Sequence, residues 1–569
     1  MLMNRLVSTL LFTFLAAASL GAANTRLVVI PVEFKDVVFT DTNKYIYEKT
    51  ELAQRYLSSQ FGPVYGDFSI DVLPVVRLSF NMSHYGANST TIKDFSLDEA
   101  VKVACIQSSA NFAPYDNDND GFIDNICLIT AGASEAEGGG SYCIWPQQGF
   151  LHDWSGTIQL SGKTADSFTV CPEFASAGTF CHELGHVFGL QDMYDTDGRL
   201  SGGTSKGLWG SLSLMDSGGA LPCLNAVELE QLGMGTSVSA TPGHITLSPL
   251  SARSEYMRLE SDNPGEYFLF ECRDNSGWDE CLPSAGLVIY HIDRSASDAW
   301  YSDAHRRNLS AAERWEYNQV NCRPEHPCAR VIEAVPGTDD PSEVFFPGDG
   351  HFAFGSETDP PFRFWSGGTS RYALNNISLE PDGSVSFDLI VPIVITGTDV
   401  FQDAAIIGWT VDRSISFSHC SVIWYSEESG SSGSKTVYYD DSGIYSATIE
   451  GLNPHTSYQV VVRVLADGGT VFSRSLGINT KTQMADARPF IYLSGTGRAD
   501  DGSFPAGSSI PMRIYNAKDA ARVMWYFNGW RIYPGADGYW KLTESGTLKA
   551  EVWYPDGSCE IIIKEIRVK

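Results

Sequence analysis

From Arg26 to Phe34 the chain runs RLVVIPVEF, an almost unbroken apolar stretch rich in β-branched residues. Such a run, without alternation, predicts a strand buried on both faces. Asn43 to Gln60 spaces its apolar side chains at helical intervals, and Ser96 to Ser109 does the same. Between them Phe68-Ser69-Ile70-Asp71-Val72-Leu73 alternates, which predicts a half-buried strand. Further along, Ile126 to Thr130 predicts a strand, Phe174 to Leu190 a helix and Leu224 to Leu232 a shorter helix. From Gly243 onward strands dominate, at Tyr256 to Glu260, Tyr267 to Glu271 and Gly286 to Ile292.

After Leu389 helical spacing disappears. Val394 to Thr482 holds short strand patterns only, and Gly451-Leu452-Asn453-Pro454-His455-Thr456-Ser457-Tyr458 leads into alternating Val460, Val462 and Val464. That segment resembles the tyrosine corner of a fibronectin type III sandwich. From Gln483 to Lys569, Asn528-Gly529, Asp537-Gly538 and Asp556-Gly557 fall between aromatic or β-branched runs, as hairpin turns do. At the other end Arg5, the apolar run Leu6 to Leu20 and the small residues Gly21-Ala22-Ala23 have the form of an export signal cleaved after Ala23. The expected organisation is a signal at 1–23, an α+β domain at 24–392, a fibronectin type III-like β-sandwich at 393–482 and a small Ig-like β-sandwich at 483–569. Little room is left for an N-terminal propeptide.

Composition narrows the partners. The chain has 569 residues, 43% hydrophobic and 12% aromatic, which is folded material with room for several domains. A net charge of −30 argues against nucleic acid or anionic membrane, which need clustered Lys and Arg. No second apolar run follows the signal, so no transmembrane segment is expected. Twelve cysteines in an exported chain permit disulfides. Cys322 with Cys328 is the best local pair, followed by Cys143 with Cys171 and Cys272 with Cys281. Cys127 and Cys181 read as buried thiols. No cysteine precedes Cys105, so an N-terminal cysteine that blocks a metal is not expected.

The candidate chemistry centres on His182-Glu183-Leu184-Gly185-His186 and its continuation Val187-Phe188-Gly189-Leu190-Gln191-Asp192. Histidines four apart on a helix share a face, so both imidazoles reach one ion. Gly189 lets the chain leave the helix, which returns Asp192 as a third ligand. The resulting HExxHxxGxxD pattern is that of a catalytic zinc site, with an open fourth position for water and Glu183 beside it as general base. Met215, in Trp209-Gly210-Ser211-Leu212-Ser213-Leu214-Met215-Asp216, fits a Met-containing turn beneath such a metal. Two residues on stands Ser217, where some zinc peptidases place a Tyr. Tyr194 and His291 are candidates for an additional transition-state stabiliser.

A second cluster, Asp116-Asn117-Asp118-Asn119-Asp120-Gly121-Phe122-Ile123-Asp124, sets carboxylates mostly at alternate positions around a Gly turn. Hard oxygen ligands at that spacing suit structural calcium on Asp116, Asp118, Asp120, Asp124 and the Phe122 carbonyl. The loop is not an EF-hand, because its twelfth position is Cys127 and a strand follows.

With these residues in view, residues 26 to about 389 resemble the immune inhibitor A family of secreted bacterial zinc metallopeptidases. Besides the metal motif, the resemblance rests on Val28-Val29-Ile30-Pro31-Val32-Glu33-Phe34-Lys35-Asp36, Glu135-Ala136-Glu137-Gly138-Gly139, Ile144-Trp145-Pro146, Gly277-Trp278-Asp279, Gly286 to Asp293 and Phe346-Pro347-Gly348. It implies a metzincin-like fold, zinc on His182, His186 and Asp192, Glu183 as base, and a calcium role for the acidic loop.

The function expected is a secreted zinc endopeptidase acting on protein or peptide substrates, exported from a bacterium and either free or held at the cell surface. An alternative is a surface-binding or adhesin protein with a latent or inactive peptidase domain and binding through the C-terminal sandwiches. A purely structural metal protein would be expected to close its site with a fourth ligand and would have no use for Glu183. The intact ligand set and base favour the enzyme. The sandwiches are open to cell-surface or glycan contacts, although core packing is the expected place of Trp530 and Trp540.

Overall fold

The computed structural model describes residues 24–569 apart from 90–92, 199, 298, 482–488, 492, 494–502, 516, 518 and 536–537. The signal at 1–23, the boundary at 482/483 and Asp537 of one expected hairpin lie outside these.

Thr25–Glu33 is an interior strand of a mixed sheet ordered Phe68–Val72, Thr25–Glu33, Ile126–Thr130, Ser167–Pro172, Gln147–Phe150. The first four run parallel, and Gln147–Phe150 closes the edge antiparallel to Ser167–Pro172. The unbroken apolar run of the first strand follows from its two buried faces. Leu27 and Val29 pack with Tyr56, Leu57, Phe180 and Leu184, while Val28, Ile30 and Val32 pack with Leu97, Val101 and Ala104. Helices Lys49–Gln60 and Ala177–Val187 thus cover one face and Leu97–Ser108 the other. The helix expected from Asn43 begins with wide π-type turns over Asn43–Glu48 before becoming regular.

A second sheet is ordered Thr236–Val238, Glu255–Glu260, Glu266–Arg273, Gly286–Asp293, Ala329–Ile332. Tyr267, Leu269, Val288 and Tyr290 from this sheet share a core with the helix Ala177–Val187 and the helix Ala226–Gln231. The junction is charged as well as apolar. Arg273, wholly enclosed, makes two bonds to Asp279, through Nε and Nη2 at 2.8 Å each, and one to Glu271 at 2.9 Å. Glu271 also accepts the Ala226 N–H at 2.6 Å and the Tyr290 hydroxyl at 2.7 Å. Asp279 accepts the Cys223 N–H at 2.9 Å.

Beyond residue 392, strands Ile393–Val400, Ala404–Val411 and Ile444–Glu450 form one sheet, and Phe417–Tyr425, Ser432–Tyr438, Ser457–Ala466 and Val471–Asn479 another. The two share a core around Trp409, Ile407, Val422, Val460, Val462 and Val464. Tyr458 Oη accepts the Asn453 N–H at 2.9 Å, the corner bond expected of that segment. Further on, Asn528 and Gly529 are both left-handed (φ 48° and 83°), as the hairpin between Arg522–Phe527 and Trp530–Ile532 requires. Trp540 packs against Phe527 with centroids 4.6 Å apart, whereas Trp530 is 80% exposed and lies outside the core expected for it.

The expected disulfides do not form; all twelve cysteines are free thiols. Cys143 and Cys171 belong to separate cores, packed on opposite sides of the first sheet. Cys281 is exposed while Cys272 is buried against the Gly383 carbonyl. Cys322 meets the Thr196 hydroxyl at 3.1 Å, and Cys328 joins the central core.

Arg273→Met should leave Glu271 and Asp279 enclosed without their cation. Chemical denaturation should then show this region losing about 3–5 kcal/mol; a loss below about 1 kcal/mol would contradict the role given to the network.

Candidate metal centre

The helix Ala177–Val187 starts at Ser176, whose hydroxyl accepts the Thr179 N–H at 3.0 Å. Phe180, Leu184 and Cys181 face the core, which leaves His182 and His186 together on the adjoining edge, ring centroids 5.0 Å apart. Gly189, at φ 96°, takes a left-handed conformation that side chains disfavour and redirects the chain. Asp192 therefore returns to the rings. Its Oδ1 lies 3.0 Å from His182 Nε2 and 3.2 Å from His186 Nε2.

The outer nitrogens are already committed. His182 Nδ1 donates to the Leu214 carbonyl and His186 Nδ1 to the Leu190 carbonyl, both at 2.9 Å. In the neutral tautomer this leaves the Nε2 lone pairs pointing at a carboxylate oxygen, itself buried and without a donor. Three electron-rich atoms converge, so positive charge must sit among them. The protonation of the pair shows the same demand. Burial pulls the His186 imidazolium down, but the Asp192 carboxylate outweighs it and holds it up to about 9. Two imidazoles and a carboxylate, each oriented from behind, are a donor set that fits zinc.

Glu183 is enclosed beside this cluster. Burial raises its carboxyl above the usual range, with the two histidines opposing, and the Gln148 backbone N–H of the edge strand bonds to it. Beneath lies Met215, also enclosed, so close that a Cβ on Gly185 would stand 2.7 Å from its sulfur. Its turn is held by Glu228, which accepts the Met215 N–H at 3.0 Å and the Ser213 hydroxyl at 2.7 Å. Glu228 also closes a capping box with Asn225 at the start of the helix Ala226–Gln231.

Of the two stabiliser candidates, only Tyr194 lies at this centre, its ring stacked on His182 with centroids 6.1 Å apart. Burial, then the Asp192 and Glu183 charges, push its phenol above the ordinary range. His291 is placed elsewhere. It bonds to buried Glu266 at 2.8 Å and is stacked by Phe268 and Trp365, at 4.3 and 5.3 Å. A ring enclosed on both faces, with its Nε2 committed to a carboxylate, is a packing element.

In the acidic loop, carboxylates of Asp116, Asp118 and Asp120 gather within 4.8 Å of one another. Gly121 turns the chain at φ 97° and gives its N–H to Asp116. Lys163 pairs with Asp116, while Asp124 is drawn to Asn117 and its carboxyl is pushed up to about 6 by burial. Phe122 pairs with Thr164 in a short strand. Sequence reading passed over two contributors that no motif marks: Asn318, bonded to Asp192, and Glu228, bonded to the Met215 turn. It also assigned Cys322 to a disulfide, whereas its sulfur sits within 4.8 Å of ligand atoms of Asp195 and Asp197.

This geometry brings three side chains that could hold a metal ion together beside a carboxylate. Residues 29–232 match the family "Immune inhibitor A peptidase M6, catalytic domain". Among curated relatives, the pre-pro-metalloprotease PrtV of Vibrio cholerae serotype O1 is 31% identical over 199 residues, covering 29% of this chain and 22% of the relative. Immune inhibitor A of Bacillus thuringiensis subsp. alesti is 27% identical over 184 residues, 26% of each chain. The match thus spans about a quarter of these relatives. A solved fibronectin type III domain of human collagen α-1(XX) is 26% identical over 17% of this chain and 83% of its own, at a TM-score of 0.14, too low to argue from.

Proposed function

We propose that this chain is an exported zinc-dependent endopeptidase that hydrolyses protein or peptide substrates. The observation that carries the reading is the convergence of His182 Nε2, His186 Nε2 and Asp192 Oδ1, with Glu183 buried beside them. His182, His186 and Asp192 would hold a zinc ion, which would supply a Lewis acid and lower the pKa of water. Glu183 takes a proton from the attacking water on a carboxylate oxygen and returns it to the leaving amine nitrogen. Burial, which lifts its pKa, makes the carboxylate a better proton acceptor. Met215 supports the histidines from below, and Tyr194 is the nearest additional donor for the developing oxyanion.

On this reading residues 24–392 are a metzincin-like peptidase domain, and 393–482 and 483–569 are fibronectin type III-like and Ig-like sandwiches. Asp116, Asp118, Asp120, Asp124 and the Phe122 carbonyl would hold calcium, in competition with Lys163 on Asp116 and Asn117 on Asp124. Among the described residues no helix is long and apolar enough to cross a membrane.

Casein hydrolysis by residues 24–569, with zinc and calcium supplied, tests the activity. Glu183→Ala should abolish cleavage while zinc still binds; equal silence from the parent would remove the enzyme reading. Tyr194→Phe should lower kcat by about 10²–10³-fold, and an unaltered kcat would exclude its hydroxyl. Calcium should raise the melting temperature and a calcium-selective chelator reverse it, with Asp118→Ala insensitive to both. Identical melting of the parent with and without calcium would sink the assignment.

A further inference from the structure

The third ligand is held from a distant part of the chain. Asn318 Nδ2 donates to Asp192 Oδ2 at 2.6 Å, and Asn318 Oδ1 accepts the Asp192 N–H at 2.7 Å. One carboxamide therefore grips both the backbone and the carboxylate of the same residue. The surrounding segments are laced together. Thr196 Oγ1 donates to the Asn318 carbonyl at 2.8 Å, and Asn321 Nδ2 donates to the Met193 carbonyl at 2.7 Å. Asn321 is in turn fixed by the Ala329 N–H, bonded to its Oδ1 at 3.0 Å. Asn318 follows the short helix Ala311–Glu316 at φ 52°, in the left-handed region that asparagine tolerates better than most side chains.

The consequence falls on Asp192. With Oδ2 engaged by the amide, Oδ1 is the oxygen directed at the two histidine Nε2 atoms. A carboxylate without that bond loses the contact that holds Oδ2 away and can offer both oxygens. Metal ligands are commonly oriented by such outer hydrogen bonds, which fix their geometry and basicity. Aspartate at 318 keeps an acceptor for the Asp192 N–H but has no donor for Oδ2, and it adds a like charge. Glycine keeps the left-handed turn and loses both bonds.

We propose that Asn318 is a positioning residue of the metal centre, fixing Asp192 as a single-oxygen ligand, so that a segment outside the matched region 29–232 completes the site. This rests on the zinc-peptidase reading.

Metal binding tests it. Residues 24–569 and the variants Asn318→Gly and Asn318→Asp are stripped of metal, then titrated with zinc against a chromophoric chelator and with cobalt by visible absorption. Both variants should bind zinc about 10–100-fold more weakly, with cobalt bands shifted as the second oxygen of Asp192 becomes available. The metal-free melting temperature of Asn318→Gly should stay at that of the parent. If it falls, the near-isosteric Asn318→Asp decides. Zinc affinity within about 2-fold of the parent in both variants, with the parental cobalt spectrum, would overturn the inference and leave the zinc reading standing. A parent that takes up neither ion would overturn both.

Discussion

A buried guanidinium ties the second sheet to the helix beside the candidate metal centre. Arg273 belongs to the second sheet, yet its partners reach the floor of the metal centre. Glu271 receives the Ala226 N–H, and the helix begun there carries Glu228, which holds the Met215 turn. The neighbouring Leu214 carbonyl then accepts the hydrogen bond from His182 Nδ1. Each charge is enclosed, so each is tolerable only while its partners stay in place. Low dielectric makes the chain of bonds stiff, and a stiff floor is what a metal site with fixed ligand directions needs.

The centre is therefore larger than its motif. His182, Glu183, His186 and Asp192 lie within eleven residues of sequence, on a helix and its exit turn. Their hydrogen-bond partners come from Leu214, Leu190 and Asn318, with Glu228 on the Met215 turn, and Asn318 stands well beyond the matched region 29–232. An ion would relieve the three converging lone pairs, and the surrounding hydrogen bonds keep those lone pairs from finding other partners. Electron-rich atoms aimed inward with their outer sides satisfied are what supports reading the cluster as a metal site.

Backbone periodicity exposed most of the architecture. Burial on two faces accounts for the apolar first strand, and period-two alternation for Val460, Val462 and Val464 in the later sheet. The tyrosine corner was legible because its bond is local, Tyr458 to Asn453. Cysteine pairing was not, since a pair of sequence positions says nothing about which side of a sheet each occupies. Cys143 and Cys171 are divided by the first sheet and cannot meet. Trp530 is likewise not core, because an aromatic at a hairpin end packs inward or outward according to where the sheet stops.

By itself the sequence determined what short-range geometry controls: two histidines on one helical face, a glycine that turns the chain, a carboxylate brought back, and strands whose burial is written in their period. Tertiary structure decided everything that depends on residues far apart in sequence meeting in space. It enclosed His291 in a stack with Phe268 and Trp365, kept Tyr194 at the centre, and brought Asn318 across 126 positions to Asp192. The physical reason is range. Helical and strand periodicity acts over a few residues, whereas burial and hydrogen-bond satisfaction are settled only when the whole chain has packed.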